Sequence, residues 1–485
     1  MLYALAAIFA ALALTVWCGE YFGYTEDLIN QLEPTQTLAF VTIATSDFMG
    51  DGAEAASAYL DSILESVGVV DKPKPLPAPV YSREDVLNDY DKRIDPDFAI
   101  PPELRDRVAF WFDIYTKYDS NHRLVQYDLY PWIIFEVIDV TPIIEADQPS
   151  HRWLRNEKAD RLVKNRELEI RKALLSLAHR GRHAKPMTET EQMVATALKP
   201  LGGDLKKQAA RAAKYVRVQT GQKNFFTEGL SISPRYMPTM EKIFRDKKMP
   251  VELTRLPFVE SSFNKLATSK VGASGIWQFM GDTGRKFMRV SGKIDERLSP
   301  YKATEAAASL LKENHMILHH SWPLAVTAWN HGPTGMRKAI RRTHSQDLAT
   351  IISKYHTHNF DFASANFYSE FLAALHAEKY NEEIFGTLAH EPSIELEAVR
   401  LPRAIHFEDL LHVSGLTREQ ILTFNPELYE VAKGNSSLPA GFRLHVPASA
   451  LSSIERELSE SAPTVARKSA YRSRKKQIII SSISK

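Results

Sequence analysis

Apolar residues recur at helical spacing through most of this 485-residue chain. In IPPELRDRVAFWFDIYTKYDSNH, Val108, Phe110, Trp111, Ile114 and Tyr115 share one face and Pro101-Pro102 stands at the start, which predicts a helix. Trp132, Ile133, Ile134, Phe135 and Val137 continue the apolar supply. Over 151–185 the aliphatics Leu154, Leu162, Leu168, Ile170, Leu174, Leu175 and Leu177 also fall at helical intervals, among Arg and Lys interleaved with Glu157, Asp160, Glu167 and Glu169. That pattern predicts a long solvated helix laced with intrahelical ion pairs. YVRVQTGQKNFFTEGL and PTMEKIFRDKKM each carry one apolar stripe, and PVELTRLPFVESSF follows with Pro250 suited to a helix start and Glu252 to a first turn. SPYKATEAAASLLKENHMILH predicts an amphipathic helix with Ser299 as N-cap and Pro300 at its first position. WPLAVTAWN, halted at His331-Gly332-Pro333, and ANFYSEFLAALHAEKY complete the series. Strand alternation is almost absent between Tyr215 and Tyr380, so an all-α domain is expected there. After Glu391 the pattern changes: ELEAVRLP and GFRLHVPA alternate as strands do, and two short helices broken at Gly415 lie between them.

The ends of the chain read differently. The stretch 2–18, LYALAAIFAALALTVWC, is apolar apart from Thr15 and is followed by Glu20, Glu26 and Asp27, which predicts an export signal or a short membrane anchor over 1–18. Residues 19–96, with the proline-dense DKPKPLPAPVYS, are expected to be a linker. The tail 451–485 is expected to be basic and without fixed structure, its last twenty residues holding seven basic side chains and no acidic one. Composition adds limits: 44% apolar and 25% charged residues suit a globular chain of several domains. A net charge of +2 calls for no nucleic-acid partner. One cysteine, Cys18, excludes an internal disulfide and a cysteine-based metal site.

The candidate chemistry lies in FVESSFNKLATSKVGASGIWQFM, 258–280. Glu260 follows Leu256, Pro257, Phe258 and Val259. At the end of a helix in apolar surroundings, burial disfavours its charged form, and a carboxyl that keeps its proton near neutral pH can serve as a general acid. Ser261 and Ser262 stand beside it as hydrogen-bonding groups, Gly272, Gly275 and Gly281 permit close backbone approach, and Gln278 offers both donor and acceptor. Trp277 and Phe279 suit sugar faces or simply core. Taken alone, a Glu in an apolar run is more often an exposed residue of an amphipathic helix.

LPFVESSFN, SKVGASGIWQFM and AWNHGP follow one another in the order of the signature of family 1 soluble lytic transglycosylases. These are the goose-type-lysozyme relatives that cleave bacterial peptidoglycan, and the chain resembles most closely their membrane-bound D type. The resemblance implies a mainly α fold: a lysozyme-like all-α catalytic domain over 223–385, after a helical N-terminal domain over 97–222. It also implies a small βααβ LysM-like, peptidoglycan-binding module over 394–450, a likeness carried by LTREQILTFNP and LPAGFRLHVP. It assigns catalysis to Glu260 and substrate binding to Ser262, Ser274, Gln278, Phe279, Trp329 and Asn330. Trp329 stands where the family more usually has tyrosine, and in ASANFYSEF Phe367 falls at a second tyrosine's place with Tyr368 one further on.

The implied reaction is non-hydrolytic cleavage of the MurNAc-β-1,4-GlcNAc bond to leave 1,6-anhydro-MurNAc ends. No second carboxylate is evident near Glu260: Asp282 is expected to begin the next helix, and Asp295 and Glu296 to structure a loop. Glu260 alone is therefore expected to act as acid and then base. No metal or other cofactor is implied, since His315, His319 and His320 form no ligand set. The expected partners are peptidoglycan strands and, through the N-terminal segment, the cell-envelope membrane; the expected location is the bacterial periplasm or envelope. A hydrolytic muramidase on the same fold and a non-catalytic wall-binding scaffold are the alternatives.

Overall fold

The computed structural model describes residues 81–146, 152–181, 185–394 and 396–460. The signal or anchor reading of 1–18 lies outside them. Residues 81–139 and the described residues from Arg166 onward form one compact unit; residues 140–165 belong to a second. The described residues are mainly helical, as expected.

The linker expected over 19–96 ends earlier than predicted. Helix α1, Arg83–Leu87, opens with a capping box in which the Ser82 hydroxyl accepts from Asp85 N–H, and Val86, Leu87 and Ile94 are buried. The segment is tied down by polar contacts: the His376 ring N–H donates to Val86 O at 2.9 Å, and the Tyr380 hydroxyl to Asp89 at 2.7 Å. Three apolar side chains within ten residues give it enough area to dock, which the proline-dense stretch before it lacks.

Helix α2, Arg105–Thr116, buries Val108, Phe110, Trp111, Ile114 and Tyr115, the residues whose spacing predicted it. The region expected to be helical also contains a small antiparallel sheet. Strand β1, His122–Tyr127, pairs with β2, Tyr130–Asp139, on one side and with β3, Val216–Thr220, on the other. The apolar run around Trp132 thus belongs to β2, where buried positions alternate at Ile133 and Phe135. VRVQT, expected within a helix, is β3; its Val-x-Val alternation was the overlooked signal, and the helix α6 begins only at Lys223. Between β2 and β3, helix α3, Arg152–Ala178, carries the predicted ion pairs, Arg161 to Glu157 at 2.8 Å and Arg171 to Glu167 at 2.9 Å. Helices α4, Glu189–Leu198, and α5, Leu205–Ala212, lead into β3.

After α6, Lys223–Ile232, come α7, Met237–Asp246, a 3-10 turn over Val251–Arg255, and the short α8, Leu256–Glu260. An irregular loop runs from there toward α9, Pro300–Ile317. Ser299 occupies the N-cap position of α9, but its hydroxyl makes no capping bond; it is fully buried without a partner, so only its backbone geometry starts the helix. Then follow α10, Trp322–His331, α11, Pro333–Thr343, α12, Leu348–Lys354, and α13, Phe362–Lys379. One apolar core runs from Val86 to Phe385. Its central helix, α13, packs against α1, α2, α8 and α10. The lead-in helix α2 is therefore a wall of the same body that holds α8.

Beyond Phe385 the expected strand–helix–helix–strand order is present. Strand β4, Leu396–Arg400, pairs antiparallel with β5, Arg443–Pro447; helices α14, Phe407–Ser414, and α15, Arg418–Phe424, lie between. Their apolar faces form a second core with Phe407, Leu410, Ile421, Leu428 and Leu444. The tail expected from 451 is partly structured: helix α16, Ala448–Glu460, buries Ala450 and Ile454 in that core. Its apolar residues at i and i+4 explain the difference. The basic stretch 461–485 lies outside the described residues.

Candidate functional site

Three segments meet at the site: the end of α8, the loop after it, and the end of α10. The chain leaves α8 at Glu260 through a strained turn, with Ser262 (φ 49°) and Phe263 (φ 61°) both in the left-handed region. The Phe263 ring holds that turn, fully buried and edge-on to Phe258 at 4.7 Å. Ser261 and Ser262 were expected to fix the Glu260 carboxyl. Instead the Ser261 hydroxyl donates to Ile276 O at 2.8 Å, pinning the turn to the following loop, and the Ser262 hydroxyl reaches only Phe258 O at 3.5 Å. Ser262 lines a small cavity of about 270 Å³ with Arg235 and Tyr236, and Glu260 is not among its walls. A direct substrate role expected for Ser262 thus has no support from its position.

The loop is built by close backbone approach. Gly275 (φ 78°) leaves only 1.9 Å between an added Cβ and Arg297 O, so no other residue fits. Gln278 follows in a left-handed conformation (φ 46°), and its side-chain N–H₂ donates to Ala267 O at 3.0 Å and to Gly275 O at 2.9 Å. Both donors of the amide are thereby used, and its carbonyl oxygen is what the half-buried side chain has left to offer a ligand. Ser274 and Phe279, expected to bind substrate, are buried. Ser274 N–H donates to Phe279 O at 3.2 Å, and the Phe279 ring meets Trp329 edge-on at 5.1 Å. Their place is in the loop's own packing, because the alternation that exposes Gln278 turns its neighbours inward. Trp277 is likewise core, stacked on Phe244 and donating its indole N–H to Thr304 at 2.9 Å.

Helix α10 starts at the Ser321 N-cap and stops at Gly332 (φ 81°), which places Trp329 and Asn330 in its last turn. The partly buried Trp329 ring touches Trp277 and Phe279 and hydrogen-bonds the Glu260 carboxyl through its side chain. At the position where tyrosine was the expected residue, an indole thus stands beside the acid. Asn330 is exposed; its side-chain oxygen accepts from the Ser364 hydroxyl at 2.8 Å, which leaves its N–H₂ facing solvent.

By surface area Glu260 keeps some solvent contact, yet protein atoms surround the carboxyl densely enough to remove most of its hydration. Burial pushes its pKa from the ordinary 4.5 up to about 8, and the Trp329 hydrogen bond offsets only part of that. Glu260 is therefore protonated at neutral pH.

A second carboxyl, outside the motif, lies within electrostatic range of Glu260. Glu370 on α13 is pushed up to about 8 by burial and by the charge of Glu260, with Arg217 on β3 opposing. The resemblance points instead to Phe367 and Tyr368, both of which are buried in the core. The signal was present: Glu370 is the lone charge in FASANFYSEFLAAL, the same mark that singled out Glu260. Asp282 and Asp295, by contrast, pair with Arg285 and Arg297 as loop and helix-start residues. Arg217 stacks on Phe362 at 4.1 Å and both line a cleft of about 550 Å³ with Tyr130, Trp132 and His356 at the start of α13.

The class indicated by this arrangement is supported by comparison with known families. Residues 239–352, from α7 into α12, match the model of the Transglycosylase SLT domain. The chain is also 33% identical over 116 residues to the "Membrane-bound lytic murein transglycosylase D" of Escherichia coli (strain K12), a match covering 24% of this chain and 26% of that protein. It is 32% identical over 95 residues to the "Putative tributyltin chloride resistance protein" of Alteromonas sp. (strain M-1), covering 19% of this chain and 46% of that one. The chain thus spans about a quarter of the length of the first relative and under half of the other.

Proposed function

We propose that the chain is a peptidoglycan lytic transglycosylase that cleaves the MurNAc-β-1,4-GlcNAc bond without consuming water. The observation that carries this is Glu260, a carboxyl kept protonated by burial at the head of a loop and helix end that match the Transglycosylase SLT domain. Glu260 gives its proton to the glycosidic oxygen, and the GlcNAc leaving group departs with it. Positive charge develops at C1 of the muramyl residue, and the acetamido group of that sugar stabilises it. The Glu260 carboxylate, now charged, takes the proton of the muramyl C6 hydroxyl as its oxygen attacks C1, closing the 1,6-anhydro ring and restoring the acid. The Trp329 indole N–H holds the carboxylate between the two transfers. The Gln278 carbonyl and the Asn330 N–H₂ orient the sugars by hydrogen bonds.

The β4–α14–α15–β5 module is read as a LysM-like wall-binding unit. Residues 1–18 are read as the export signal or anchor that brings the protein to the periplasmic side of the envelope. A named relative described as a membrane-bound lytic murein transglycosylase supports that location.

The alternative is a hydrolytic muramidase, in which a second carboxylate activates water; Glu370, which burial holds protonated at neutral pH, is not poised for that role. The scaffold alternative predicts binding alone. Incubating isolated sacculi with the wild-type chain and with Glu260→Gln separates these readings from the scaffold. Soluble muropeptides are expected from the wild type, with at least about a thousandfold less from the variant. Sacculi bound but never solubilised by the wild type would sink the enzymatic reading.

A further inference from the structure

We propose that the cleft of about 550 Å³ between the β1–β2 turn with β3 on one side and α12 with the start of α13 on the other binds the stem peptide of the peptidoglycan strand, taking its carboxylates on Arg211 and Arg217 and its ammonium on Asp128. This rests on the reading of the chain as a peptidoglycan-cleaving enzyme. The cleft adjoins the sugar site through the last turn of α10. The Asn330 side-chain oxygen accepts from the hydroxyl of Ser364, in the first turn of α13, at 2.8 Å. The next residue, His331, sets its ring edge-on to Phe360 at 5.0 Å, and Phe360 is a wall of the cleft. Phe360 in turn meets the Tyr355 ring, a second wall, at 5.4 Å. The side chain read as orienting a sugar and the wall of the cleft are therefore joined by direct packing.

The cleft is held open by the fold itself. The buried Arg107 on α2 donates to Leu129 O in the β1–β2 turn at 2.9 Å and to the Asn366 side-chain oxygen on α13 at 2.7 Å, so one guanidinium ties the two walls. The same group lies 5.4 Å from the centre of the Trp132 ring, and Trp132 meets Tyr130 edge-on at 5.5 Å. Both rings line the cleft half-buried and offer apolar faces to the aliphatic part of a ligand. Charge is supplied in both signs. Arg217 on β3 stacks over Phe362 at 4.1 Å, and Arg211 in the last turn of α5 reaches the same cleft. Both are exposed, and among the described residues neither makes an ion pair, so their guanidinium forks are open to carboxylates. Asp128 in the β1–β2 turn lines the cleft with a buried carboxyl oxygen that has no hydrogen-bond partner among the described residues. Asp361, by contrast, is engaged as the N-cap of α13, accepting from Ser364 N–H at 3.3 Å. A polyanion would meet the acids of this cleft as well as its arginines, and a neutral glycan would leave both unused. A short peptide bearing free carboxylates and an ammonium satisfies them together. The stem peptide is such a ligand, and it hangs from the MurNAc residue whose C1 is attacked. The volume lies within the range of ligand pockets, roughly 300–1,000 Å³.

The test compares glycan strands that keep their stems with the same strands stripped of stems by an amidase. Each is cleaved by the full-length wild type, by Arg211→Gln and by Arg211→Gln with Arg217→Gln, and the readout is the ratio of kcat/KM for the two substrates. The wild type is expected to favour stem-bearing strands, and the double variant to lose at least about tenfold of that preference, chiefly through KM. Damage to the fold or to Glu260 would lower both rates alike and leave the ratio in place. A ratio that does not change in the double variant would overturn the proposal, as would a wild type that cleaves both substrates equally well. Calorimetric titration with the free tripeptide alanyl-γ-glutamyl-diaminopimelate reads the cleft without catalysis. Saturable binding by the wild type, weakened at least about tenfold in Arg211→Gln, is the expected result, and Arg211→Gln alone decides it if the double variant does not fold. No binding by the wild type would overturn the proposal. A wild type that binds the tripeptide but releases no muropeptides would sink the catalytic reading and leave the cleft's assignment standing.

Discussion

Glu260 has no cation among the forces acting on its carboxyl; burial and one indole hydrogen bond set its state. That makes it costly to the fold as pH rises. In the unfolded chain the group ionises near its ordinary 4.5, whereas in the folded chain it keeps its proton up to about 8. Between those values the unfolded state binds fewer protons, so stability contributed by this residue falls as pH rises. Glu260→Gln removes the penalty. The variant is expected to be more stable than the wild type by roughly 1–3 kcal/mol at pH 7.5, with the difference fading toward pH 4.5, read from chemical unfolding at a series of pH values. Equal stability at both ends would mean the carboxyl is well hydrated. At this scale much of the chemistry was legible in the sequence. A charged residue in an apolar run marked Glu260 and, unread, Glu370. What the sequence withheld was which neighbours turn inward. Ser274 and Phe279 flank Gln278 as plausibly as any contact residue, and only the left-handed backbone at Gln278 and the Trp329 packing decide that they are buried.

The loop between α8 and α9 carries the site on irregular backbone, so its precision comes from a few contacts. Gly275 is the tightest of them. In Gly275→Ala the new Cβ would strike the Arg297 carbonyl from a backbone conformation that alanine disfavours. Destabilisation of more than about 3 kcal/mol is expected, measured by urea unfolding. A loss below about 1 kcal/mol would show that the loop relaxes freely. The 3-10 turn ahead of α8 is held from behind: the Arg255 guanidinium makes two 3.0 Å contacts to Glu378 on α13 and also bonds Glu241 on α7. Helices were legible because their apolar periods are long and their stops, such as Gly332, are local. The β1–β3 pairing was not, because both strands are short and lie some ninety residues apart, which no local window contains; the β1–β2 hairpin is local, but its apolar run reads as part of a helical region.

On the scale of the whole molecule, the last module is joined to the body by a buried ion pair. Lys302 on α9 reaches Glu427 at 2.7 Å, with both side chains buried, and its ammonium lies 3.6 Å from the centre of the Phe442 ring. Arg443 on β5 pairs with Glu305, one turn further along α9. Burial raises the Glu427 pKa, and the Lys302 ammonium works against that. Lys302→Met strands the carboxyl and should cost roughly 3–5 kcal/mol. Limited proteolysis is expected to cut between Phe385 and Leu396 faster in this variant, and Lys302→Met with Glu427→Leu should recover part of the loss. Unchanged cleavage would mean that the module is held by apolar contacts instead. The order of elements in this module was legible from its alternating strands, whereas its attachment was not, since Lys302 reads in sequence as one more exposed residue of an amphipathic helix.

The central claim is the reaction at Glu260, and the mass of its product tests it most directly. Sacculi digested by the full-length chain should yield muropeptides ending in 1,6-anhydro-MurNAc, lighter by one water than the hydrolytic product and absent with Glu260→Gln. Reducing MurNAc ends from the wild-type chain would contradict the account and assign the water-activating role to a second carboxylate.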